Sequence, residues 1–327
     1  MRKVTVGVPC YNESKNILKC LDSITSQSDI FKGIEVLIVD DGSTDDTVNI
    51  IENYKKRYEI NGNIKILTQK NTGSPSTARN RIIDEAEGEY IFFVDGDDYL
   101  AENSISNMYT LGKENDSDVI IGKYEGVNRR VPVYVFKSTQ INTNFFDSLV
   151  KDTMSVLKMF KTEYLRSLNI RFRKDIRMAE DHPIAMSAYL HTKKISIYAD
   201  SPCYYWVRHI NSENKTHLTG GVIPVDEFYK YLFETFDVIK NARITEKERT
   251  EAYRIYWDRL FTLDIVNEFK RNRTEMERNH SFAILLRLFN KYEGPLITPL
   301  LTGYKRYTAM LLCNQDYLLF TEYLKIK

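Results

Sequence analysis

The sequence predicts an α/β protein whose mostly parallel sheet has helices on both faces and is followed by a helical C-terminal domain. Up to about residue 125, short apolar segments rich in Val, Ile and Phe alternate with helical patterns, which is typical of strands joined by crossover helices. After Pro224 the pattern changes to long amphipathic helical stretches. Ligands of such sheets bind beyond the carboxyl ends of the strands, so the residues that follow each predicted strand are the first candidates for function.

The elements are predicted from the period of the apolar residues. Strands are expected at residues 4–9, 34–40, 63–68, 89–95 and 118–124. A helix with apolar residues at 17, 18, 21 and 24 follows the first strand behind a Ser14 cap, and a helix at 77–86 is ended by Gly88 in the left-handed conformation. Further along we expect a helix at 179–191, a strand pair at 194–199 and 203–208, and amphipathic helices at 225–240 and 245–270.

The change of character after Pro224 places a domain boundary near residue 222. We expect an α/β domain at residues 1–222 and a helical domain at residues 223–327, each within the usual size range of domains. No repeat or low-complexity tract occurs in either part.

The composition limits where the protein acts and what it binds. With 46 basic and 45 acidic residues, the chain has no overall field that would attract nucleic acid or an anionic membrane, although a local basic groove for a polyanion stays open. The four cysteines are far apart and form no CxxC pair, which favours reduced thiols in a cytosolic protein and argues against zinc. We find no signal-peptide pattern and no uncharged apolar run of about 18 residues, so we expect a cytoplasmic protein, at most peripheral at the inner face of the membrane.

Acidic side chains follow three of the predicted strands. The first strand runs into Cys10-Tyr11-Asn12-Glu13, the second ends in Asp40-Asp41, and the strand at 89–95 leads into Asp95-Gly96-Asp97-Asp98. A hard divalent cation prefers carboxylate oxygens, and Mg²⁺ or Mn²⁺ is commonly held by one or two carboxylates together with substrate phosphates. Each acidic group alone would be explained as a helix cap or a turn residue. Their recurrence at successive strand ends favours a metal and phosphate site.

Four motifs in this part of the chain resemble the glycosyltransferase family 2 (GT2) of inverting glycosyltransferases, in the order in which that family carries them. They are VGVPCYNES, VLIVDDGSTDDT, KNTGSPSTARNRII and GEYIFFVDGDDYL. The resemblance implies a GT-A fold and transfer of a sugar from a UDP-sugar donor to a hydroxyl group, assisted by Mn²⁺ or Mg²⁺.

The resemblance also implies how the donor is held. Pro9, Tyr11 and Asp41 match positions that contact the nucleoside, with Asp41 accepting a hydrogen bond from uracil. Asn71 and Arg79 match positions that reach the base and the diphosphate. An aromatic ring such as Tyr11 can stack on a base, and the guanidinium of Arg79 can fork onto phosphate. For Arg79, a surface salt bridge on its helix remains the alternative.

The GEYIFFVDGDDYL motif implies the metal-binding part of the site. Asp95, with Gly96, matches the position that binds the ribose or the donor sugar, and Asp97 matches the direct metal ligand of the family's DxD motif. Members of the family often carry a His or Arg, after the second predicted strand pair, that closes over the diphosphate or completes the metal shell. His217 fits this position better than His209, and a solvated loop histidine is the alternative for both.

An inverting transfer needs a base that removes the proton of the acceptor hydroxyl. The segment Met178-Ala179-Glu180-Asp181-His182 resembles the ED-containing motif of the family at the start of a helix, in which the Asp is that base. We therefore expect Asp181 to be the catalytic base. The alternative is that Glu180 and Asp181 only favour the helix dipole.

A narrower resemblance, to bacterial wall teichoic acid N-acetylglucosaminyltransferases, spans nearly the whole chain. The segments IIGKYEGVNRRVPVYVFK, SVLKMFK, RMAEDH and NQDYLLFTEYLK carry it. It implies a poly(ribitol phosphate) acceptor and a homotrimer assembled through the C-terminal domain. The cations that would line an acceptor groove are Lys123, Arg129, Arg130, Lys137, Lys158, Lys161, Arg171, Arg173, Lys174 and Arg177, to which His182 is added beside Asp181. An ordinary solvated surface explains these charges equally well, a structural role for His182 stays open, and we interpret His191 and His280 as structural.

Three other functions are compatible with parts of the pattern. The acceptor could be a capsule or exopolysaccharide intermediate instead of a teichoic acid. A nucleotidyltransferase also uses acidic strand ends and a divalent metal, but it would carry a Gly-rich basic phosphate loop, and residues 9–13 are neither. A catalytically inactive sugar-nucleotide-binding module is disfavoured because both Asp97 and Asp181 are present.

Overall fold

The computed structural model describes residues 2–27, 30–57, 63–209 and 223–326. The chain divides into two compact units. Residues 1–144 and 153–215 form the first, and residues 145–152 and 216–327 form the second. The short segment 145–152 thus packs with the helical unit, which the predicted boundary near residue 222 did not include.

The first unit is built on one sheet, and its α/β class is confirmed. Within the described residues its strands are β1 Val4–Cys10, β2 Ile34–Asp40, β3 Ile64–Thr68, β4 Tyr90–Phe93, β5 Tyr99–Leu100, β6 Val119–Val127, β7 Gln140–Thr143, β8 Met159–Lys161 and β9 Ile195–Val207. Its helices are α1 Ile17–Thr25, α2 Thr47–Arg57, α3 Pro75–Glu85, α4 Ser104–Glu114, α5 Thr162–Ser167 and α6 His182–Leu190.

The sheet is parallel over its first half and mixed beyond it. The strand order is β3-β2-β1-β4-β8-β6-β9-β5, with β7 also paired to β9. Strands β3, β2, β1 and β4 run parallel, whereas β8 runs antiparallel to both of its neighbours, β4 and β6. Parallel pairing, which the sequence predicts for most of the sheet, joins β1 to β4 and also β6 to β9, and the remaining pairs are antiparallel.

Helices cover both faces of the sheet, as predicted. A Cβ added to Gly7 of β1 would lie 2.4 Å from Cγ2 of Ile82, which places α3 against the Gly7 face. Cys10, whose side chain points to the opposite face because side chains alternate along a strand, lies with Ile17 of α1 around Gly96. The core between these layers is apolar, and β1 and β2 are buried along their whole length.

Several local predictions are wrong for identifiable reasons. Helix α1 has Asn16 at its N-cap instead of Ser14, whose N–H donates to Asp45. Helix α3 ends in extended backbone at Ala86. Gly88 is required for a different reason than a left-handed cap, since a Cβ there would lie 2.3 Å from the backbone N of Thr5.

The predicted strand pair at 194–199 and 203–208 is one continuous strand, β9. The residues that suggested a turn lie at a register shift against β6, where Pro202 pairs with Lys123. A bulge accepts proline within a strand because the missing N–H is not needed there.

The second unit is helical, as predicted. Its helices are α7 Val225–Asn241, α8 Glu246–Thr262, α9 Asp264–Phe269, α10 Glu275–Lys291, α11 Gly294–Ile297, α12 Gly303–Cys313 and α13 Tyr317–Lys325. The helix expected at 245–270 is divided between α8 and α9 at Leu263. Thr245 and Thr274 each form a capping box with the Glu three residues on, which satisfies backbone donors at the starts of α8 and α10.

The core of this second unit is aromatic. Phe236 stacks on Tyr292 with ring centroids 4.9 Å apart, and Nε1 of Trp257 donates to the Tyr292 carbonyl at 3.1 Å. Across the described residues of both units, no helix is both long and apolar enough to cross a membrane.

Candidate active site

The carboxyl ends of β1, β2 and β4 meet at one edge of the sheet. Cys10 pairs with Asp40 across β1 and β2, and Gly7 pairs with Phe93 across β1 and β4, all in parallel register. The loops that follow these strands therefore lie side by side. This confirms the predicted convergence of the acidic strand ends.

The loops after β1 and β2 are bonded to each other through Asn12. Its Oδ1 accepts from the N–H of Thr44 at 2.8 Å, and its own N–H donates to Oγ of Ser43 at 2.9 Å. Asn12 adopts a positive φ of 55°, which asparagine tolerates better than most residues. The neighbouring Tyr11 is left 39% exposed at the edge, where its ring is available for stacking. Pro9 is buried inside β1, and its contact with the nucleoside stays a prediction.

Asp41 organises the loop after β3. Its carboxylate is buried and accepts from Nε2 of Gln69 at 2.7 Å and from the N–H of Thr72 at 3.0 Å. A Cβ at Gly42, which has a φ of 76°, would lie 2.7 Å from the backbone N of Asn71, so the close approach of the two loops needs glycine. Asn71 itself is exposed, next to the Asp41 carboxylate that holds its loop.

Arg79 joins two parts of the site that are far apart in sequence. Its guanidinium, only 6% exposed, donates from Nη2 to Oδ1 of Asp95 at 2.9 Å and from Nη1 to Oε1 of Glu180 at 2.5 Å. The alternative of a surface salt bridge is wrong in its location, because the Arg79 guanidinium and its pair with Glu180 are buried. Glu180 was not predicted as a partner, and only the fold brings it to Arg79, since 101 residues separate the two.

The loop after β4 is fixed by Asp98, a residue to which the sequence assigned no role. Its buried carboxylate accepts from the Tyr204 hydroxyl at 2.8 Å and from the N–H of Val207 at 2.7 Å. The same Tyr204 oxygen accepts from the N–H of Asp95 at 3.1 Å. Asp98 therefore anchors the DxD loop to β9.

This anchoring brings His209 to Asp97. Nε2 of His209 lies 3.1 Å from the Asp97 carbonyl oxygen and 3.9 Å from its Oδ2. The sequence favoured His217 for this position, and His217 lies outside the described residues. The pairing of Tyr99 with Tyr205 explains the placement, since it puts residues just after β9 beside the DxD loop.

Negative charge accumulates around Asp97. Burial, and then Asp97 and Asp95, raise the pKa of Glu13 to about 7. Burial and the same two aspartates raise the pKa of Asp98 well above its usual range. No group of three or more His, Cys, Asp or Glu side chains among the described residues has the arrangement of a complete metal site. Partly exposed carboxylates in a negative field nevertheless fit a hard divalent cation that takes its other ligands from substrate phosphates.

Asp181 lies at the N-cap of α6, next to Glu180. Burial and the charge of Glu180 raise the pKa of Asp181 to about 7, although Arg79 and Lys158 act to lower it. A carboxylate that titrates near neutral pH is suited to act as a general base. The predicted start of a helix at the ED pair is confirmed.

The predicted acceptor cations are dispersed. Lys158 is completely buried and His182 is buried, so neither can line a surface groove. Arg171 pairs with Asp84, near the C-terminal end of α3, and Arg173 pairs with Asp175. The predicted groove is therefore wrong for Lys158 and His182.

Arg129 differs from the other predicted acceptor cations. Its guanidinium carbon lies 3.4 Å from the centroid of the Trp206 ring. Burial lowers the pKa of Arg129, and the negative charges of Asp98 and Asp97 oppose that change. Arg130, Lys137, Lys174 and Arg177 are exposed, Lys123 is half-buried on β6, and Lys161 pairs with Asp116.

Residues 5–174 match the profile of the glycosyl transferase family 2. The chain is 31% identical over 253 residues to the poly(ribitol-phosphate) β-N-acetylglucosaminyltransferase TarP of Staphylococcus aureus strain N315, a match that covers 76% of this chain and 75% of TarP. The chain belongs to glycosyltransferase family 2.

Other members of family 2 extend the comparison. The chain is 34% identical over 286 residues to the poly(ribitol-phosphate) β-glucosyltransferase of Bacillus spizizenii W23, a match that covers 86% of this chain and 44% of that protein. A crystal structure of residues 1–349 of S. aureus TarS in complex with UDP-GlcNAc superposes with a TM-score of 0.88 at 28% identity, covering 98% of this chain and 89% of that chain. The chain spans less than half the length of the first curated relatives it matches. The predicted GT-A fold with a C-terminal helical region is confirmed by this superposition.

Proposed function

We propose that this protein is an inverting glycosyltransferase that moves a sugar from a UDP-sugar to a hydroxyl group of poly(ribitol phosphate), a wall teichoic acid. The observation that carries the proposal is the chain of contacts from the Asp181 segment to the DxD loop. Asp181 is adjacent to Glu180, and Arg79 bridges Glu180 to Asp95 at the carboxyl edge of the sheet. A proton acceptor and a phosphate-binding edge thus belong to one rigid arrangement. The names of the relatives support the acceptor.

On the donor side, each residue has a role that its placement supports. The exposed ring of Tyr11 stacks on the uracil base, with Asp41 and Asn71 at its edge as hydrogen-bonding partners. Asp95 and Gly96 border the ribose or the donor sugar. Arg79 acts on the diphosphate by fixing the Asp95 carboxylate, because its Nη1 and Nη2 already donate to protein carboxylates.

Asp97 is the residue that would hold Mn²⁺ or Mg²⁺, with diphosphate oxygens as further ligands. When bound, the cation supplies positive charge that stabilises the departing UDP. The negative field that raises the pKa of Glu13 is what such a cation would relieve. His209 lies beside Asp97 and orients that loop, and His217 remains a candidate for closing over the diphosphate.

Asp181 takes the proton of the acceptor hydroxyl while the oxygen attacks the anomeric carbon, and the bond from that carbon to the diphosphate breaks with its electron pair leaving on UDP. Because the pKa of Asp181 is raised to about 7, its carboxylate is basic enough to accept this proton and is still ionised above neutral pH. Attack opposite to the leaving group gives inversion.

The acceptor is a polyanion, and Arg129 is the described cation best placed to meet its phosphates. It is held on Trp206 near Asp97, and the exposed Arg130 and Arg177 extend the positive surface. Guanidinium groups bind phosphate in a bidentate manner, which suits a repeating phosphodiester. A UDP-sugar donor and a cell-wall polymer acceptor support a reaction in the cytoplasm, at the inner face of the membrane.

Two observations favour different donor sugars. A TarS structure with UDP-GlcNAc superposes over nearly the whole chain, whereas the relative from B. spizizenii is a glucosyltransferase. We propose GlcNAc, with glucose as the second candidate. UDP release is measured with UDP-GlcNAc or UDP-glucose against poly(ribitol phosphate), poly(glycerol phosphate) and a capsule-type lipid intermediate, with Asp181→Asn as the inactive control. The proposed acceptor is wrong if poly(ribitol phosphate) gives no more release than water.

We also propose that the second unit assembles the protein into a homo-oligomer, a trimer by resemblance. Large apolar side chains are exposed on and around its last helices, and such surfaces need a partner. They are Leu296, Leu300, Met310, Leu318, Leu319 and Ile326. Light scattering of the intact chain should give a trimer, and Leu318→Asp with Leu319→Asp should reduce the mass. A monomeric wild-type protein at micromolar concentration would contradict the proposal.

A further inference from the structure

The hydroxyl of Tyr204, on β9, is hydrogen-bonded to both ends of the DxD loop, residues 95–98. It donates to Oδ2 of Asp98 at 2.8 Å and accepts from the N–H of Asp95 at 3.1 Å. Asp97, the proposed cation ligand, lies between these two residues. One oxygen atom of the core therefore fixes the first and the last residue of the loop that carries Asp97.

The loop itself is a tight turn. The N–H of Asp98 donates to the carbonyl oxygen of Asp95 at 3.0 Å, which closes a turn of four residues. Oδ1 of Asp98 also accepts from the N–H of Val207 at 2.7 Å. The side chain of Asp97 remains 23% exposed within this turn. A partly exposed carboxylate thus sits on a short segment whose two ends are held by β9.

The core determines where the Tyr204 hydroxyl lies. The Tyr204 side chain is completely buried, and its ring lies 6.3 Å, between centroids, from the rings of both Phe92 on β4 and Tyr124 on β6. Its backbone pairs with Leu100 across β5 and β9. Because a close-packed interior leaves such a ring no room to turn away, the hydroxyl is in place before any substrate binds.

Packing alone does not require a tyrosine at this position. A phenylalanine would fill the same space, and a buried hydroxyl is costly unless it is hydrogen-bonded. The two bonds to the DxD loop are therefore what the hydroxyl adds. Asp95 is held from a second side as well, since its carboxylate accepts from Nη2 of Arg79 at 2.9 Å.

We propose that Tyr204 is a positioning residue that holds Asp97, through Asp95 and Asp98, where it binds the divalent cation of the donor diphosphate. The inference rests on the proposed role of Asp97 as the cation ligand. Because Tyr204 is completely buried, it acts through the loop and not on the donor itself. A ligand that is already held in place loses less conformational freedom when the cation binds, so the cation binds more tightly.

The first test measures UDP binding by calorimetry in EDTA and over a series of Mn²⁺ concentrations, for wild type and Tyr204→Phe. The Mn²⁺ concentration that gives half of the gain in UDP affinity should rise about tenfold in the variant, in the range expected for loss of one hydrogen bond to a carboxylate. UDP affinity in EDTA should stay unchanged, because the proposed nucleoside contacts of Tyr11 and Asp41 do not involve Tyr204.

Tyr90→Phe is the matched control. Tyr90 is also buried, at the first residue of β4, and its hydroxyl donates to the Ser117 carbonyl at 3.1 Å. This variant loses a buried hydroxyl and its hydrogen bond at the end of β4 away from the DxD loop. It should lower the melting temperature and leave the Mn²⁺ dependence of UDP binding in place.

The second test needs neither metal nor activity. Hydrogen exchange of the backbone amides is followed by NMR in the metal-free protein, where the amides of Asp95 and Val207 should both be protected in wild type. Tyr204→Phe should speed the exchange of Asp95 about tenfold, because its acceptor is removed. Val207 is the internal control, since its acceptor is Asp98 and remains.

The outcomes separate this inference from the proposed function. Wild-type UDP affinity that is equal in Mn²⁺ and in EDTA would overturn the cation role of Asp97. A folded Tyr204→Phe protein with the Mn²⁺ dependence of wild type would overturn the role of Tyr204 alone. An Asp95 amide that exchanges in wild type as fast as an unprotected amide would do the same without any substitution.

Discussion

Two of the arginines that the sequence predicts to bind substrate differ in their surroundings. Arg79 is 6% exposed and bridges Asp95 and Glu180, whereas Arg171 is 43% exposed and pairs with Asp84 in solvent. Both were candidates to bind anionic substrate groups. The buried arginine holds the catalytic loops together, and the exposed one is explained by an ordinary surface ion pair. Burial of an arginine requires carboxylate partners, so these partners distinguish Arg79 from a surface arginine such as Arg171.

The energies of the two pairs differ accordingly. Removing one partner of a buried, hydrogen-bonded ion pair leaves an uncompensated charge and destabilises a protein by about 3–5 kcal/mol. Exposed pairs contribute about 0–1 kcal/mol because water screens them. Substitutions at Arg79 and its partners should therefore have large effects on transfer or stability. Substitutions of exposed arginines such as Arg171 should have small effects.

The largest effect is expected at Asp181. Asp181→Ala should bind UDP with nearly wild-type affinity by calorimetry but lose transfer by about two to four orders of magnitude, the usual contribution of a positioned general base. Asp181→Asn keeps the shape, removes the basicity and should be equally inactive. A loss of UDP affinity or of melting temperature that parallels the loss of activity would indicate a structural role instead, and Glu180 would then be tested as the base.

The pH dependence of the wild type follows from the raised pKa of Asp181. The base is ionised above a pKa of about 7, so transfer should rise with pH and level off above that value. Two units below it, at pH 5, about one molecule in a hundred is ionised and transfer should be about a hundredfold lower. UDP affinity measured over the same range should not follow this titration. An activity that is flat from pH 5 to 8 would contradict the assignment.

Removal of the metal should have the next largest effect. Chelation with EDTA should abolish transfer, and Mn²⁺ or Mg²⁺ should restore it, since the negative field around Asp97 is otherwise unrelieved. Asp97→Ala should behave like the chelated enzyme and should not recover when metal is added. Full transfer in EDTA would exclude the metal role while leaving the role of Asp181 intact.

The buried bridge predicts an effect on stability. Arg79→Met should destabilise the protein by about 3–5 kcal/mol in denaturant unfolding, because Asp95 and Glu180 are left unpaired. The double variant Arg79→Met with Glu180→Gln should be destabilised less than the sum of the two single variants. Arg81→Met is the matched control on the same helix, since Arg81 donates only to the Thr68 carbonyl. Additive effects of Arg79 and Glu180 would show that the bridge does not couple them.

The same contrast explains what the sequence could predict. The ends of β1, β2 and β4 were located from apolar runs followed by acidic residues, and Asp181 was placed at the start of a helix from its local pattern. Each of these signals is contained in one short segment of the sequence. The bridge from Arg79 to Glu180 and the contact of His209 with Asp97 join distant segments, and no local pattern contains them.

Two of the errors did have a local signal. Lys158 lies between Leu157 and Met159 in a run that is buried throughout, so an isolated lysine in an apolar run indicated burial more than a groove. The predicted strand pair at 194–199 and 203–208 left Pro202 between two strands, but proline is also accepted at a bulge within one strand. In both cases the prediction followed the type of a single residue, a lysine or a proline, instead of the apolar pattern on each side of it.

The smallest effects separate the exposed cations from one another. Arg171→Ala should change transfer less than about twofold and stability by less than about 1 kcal/mol, since its partner Asp84 is also exposed. Arg129→Ala should instead raise the KM for the polymer several-fold and reduce the salt dependence of that KM, because Arg129 lies on Trp206 and forms no ion pair within the described part of the chain. UDP affinity should stay unchanged in both variants. Equal effects of Arg171→Ala and Arg129→Ala on KM would show that the acceptor is attracted by the positive surface in general. Packing of Arg129 on Trp206 would then give it no special role in acceptor binding.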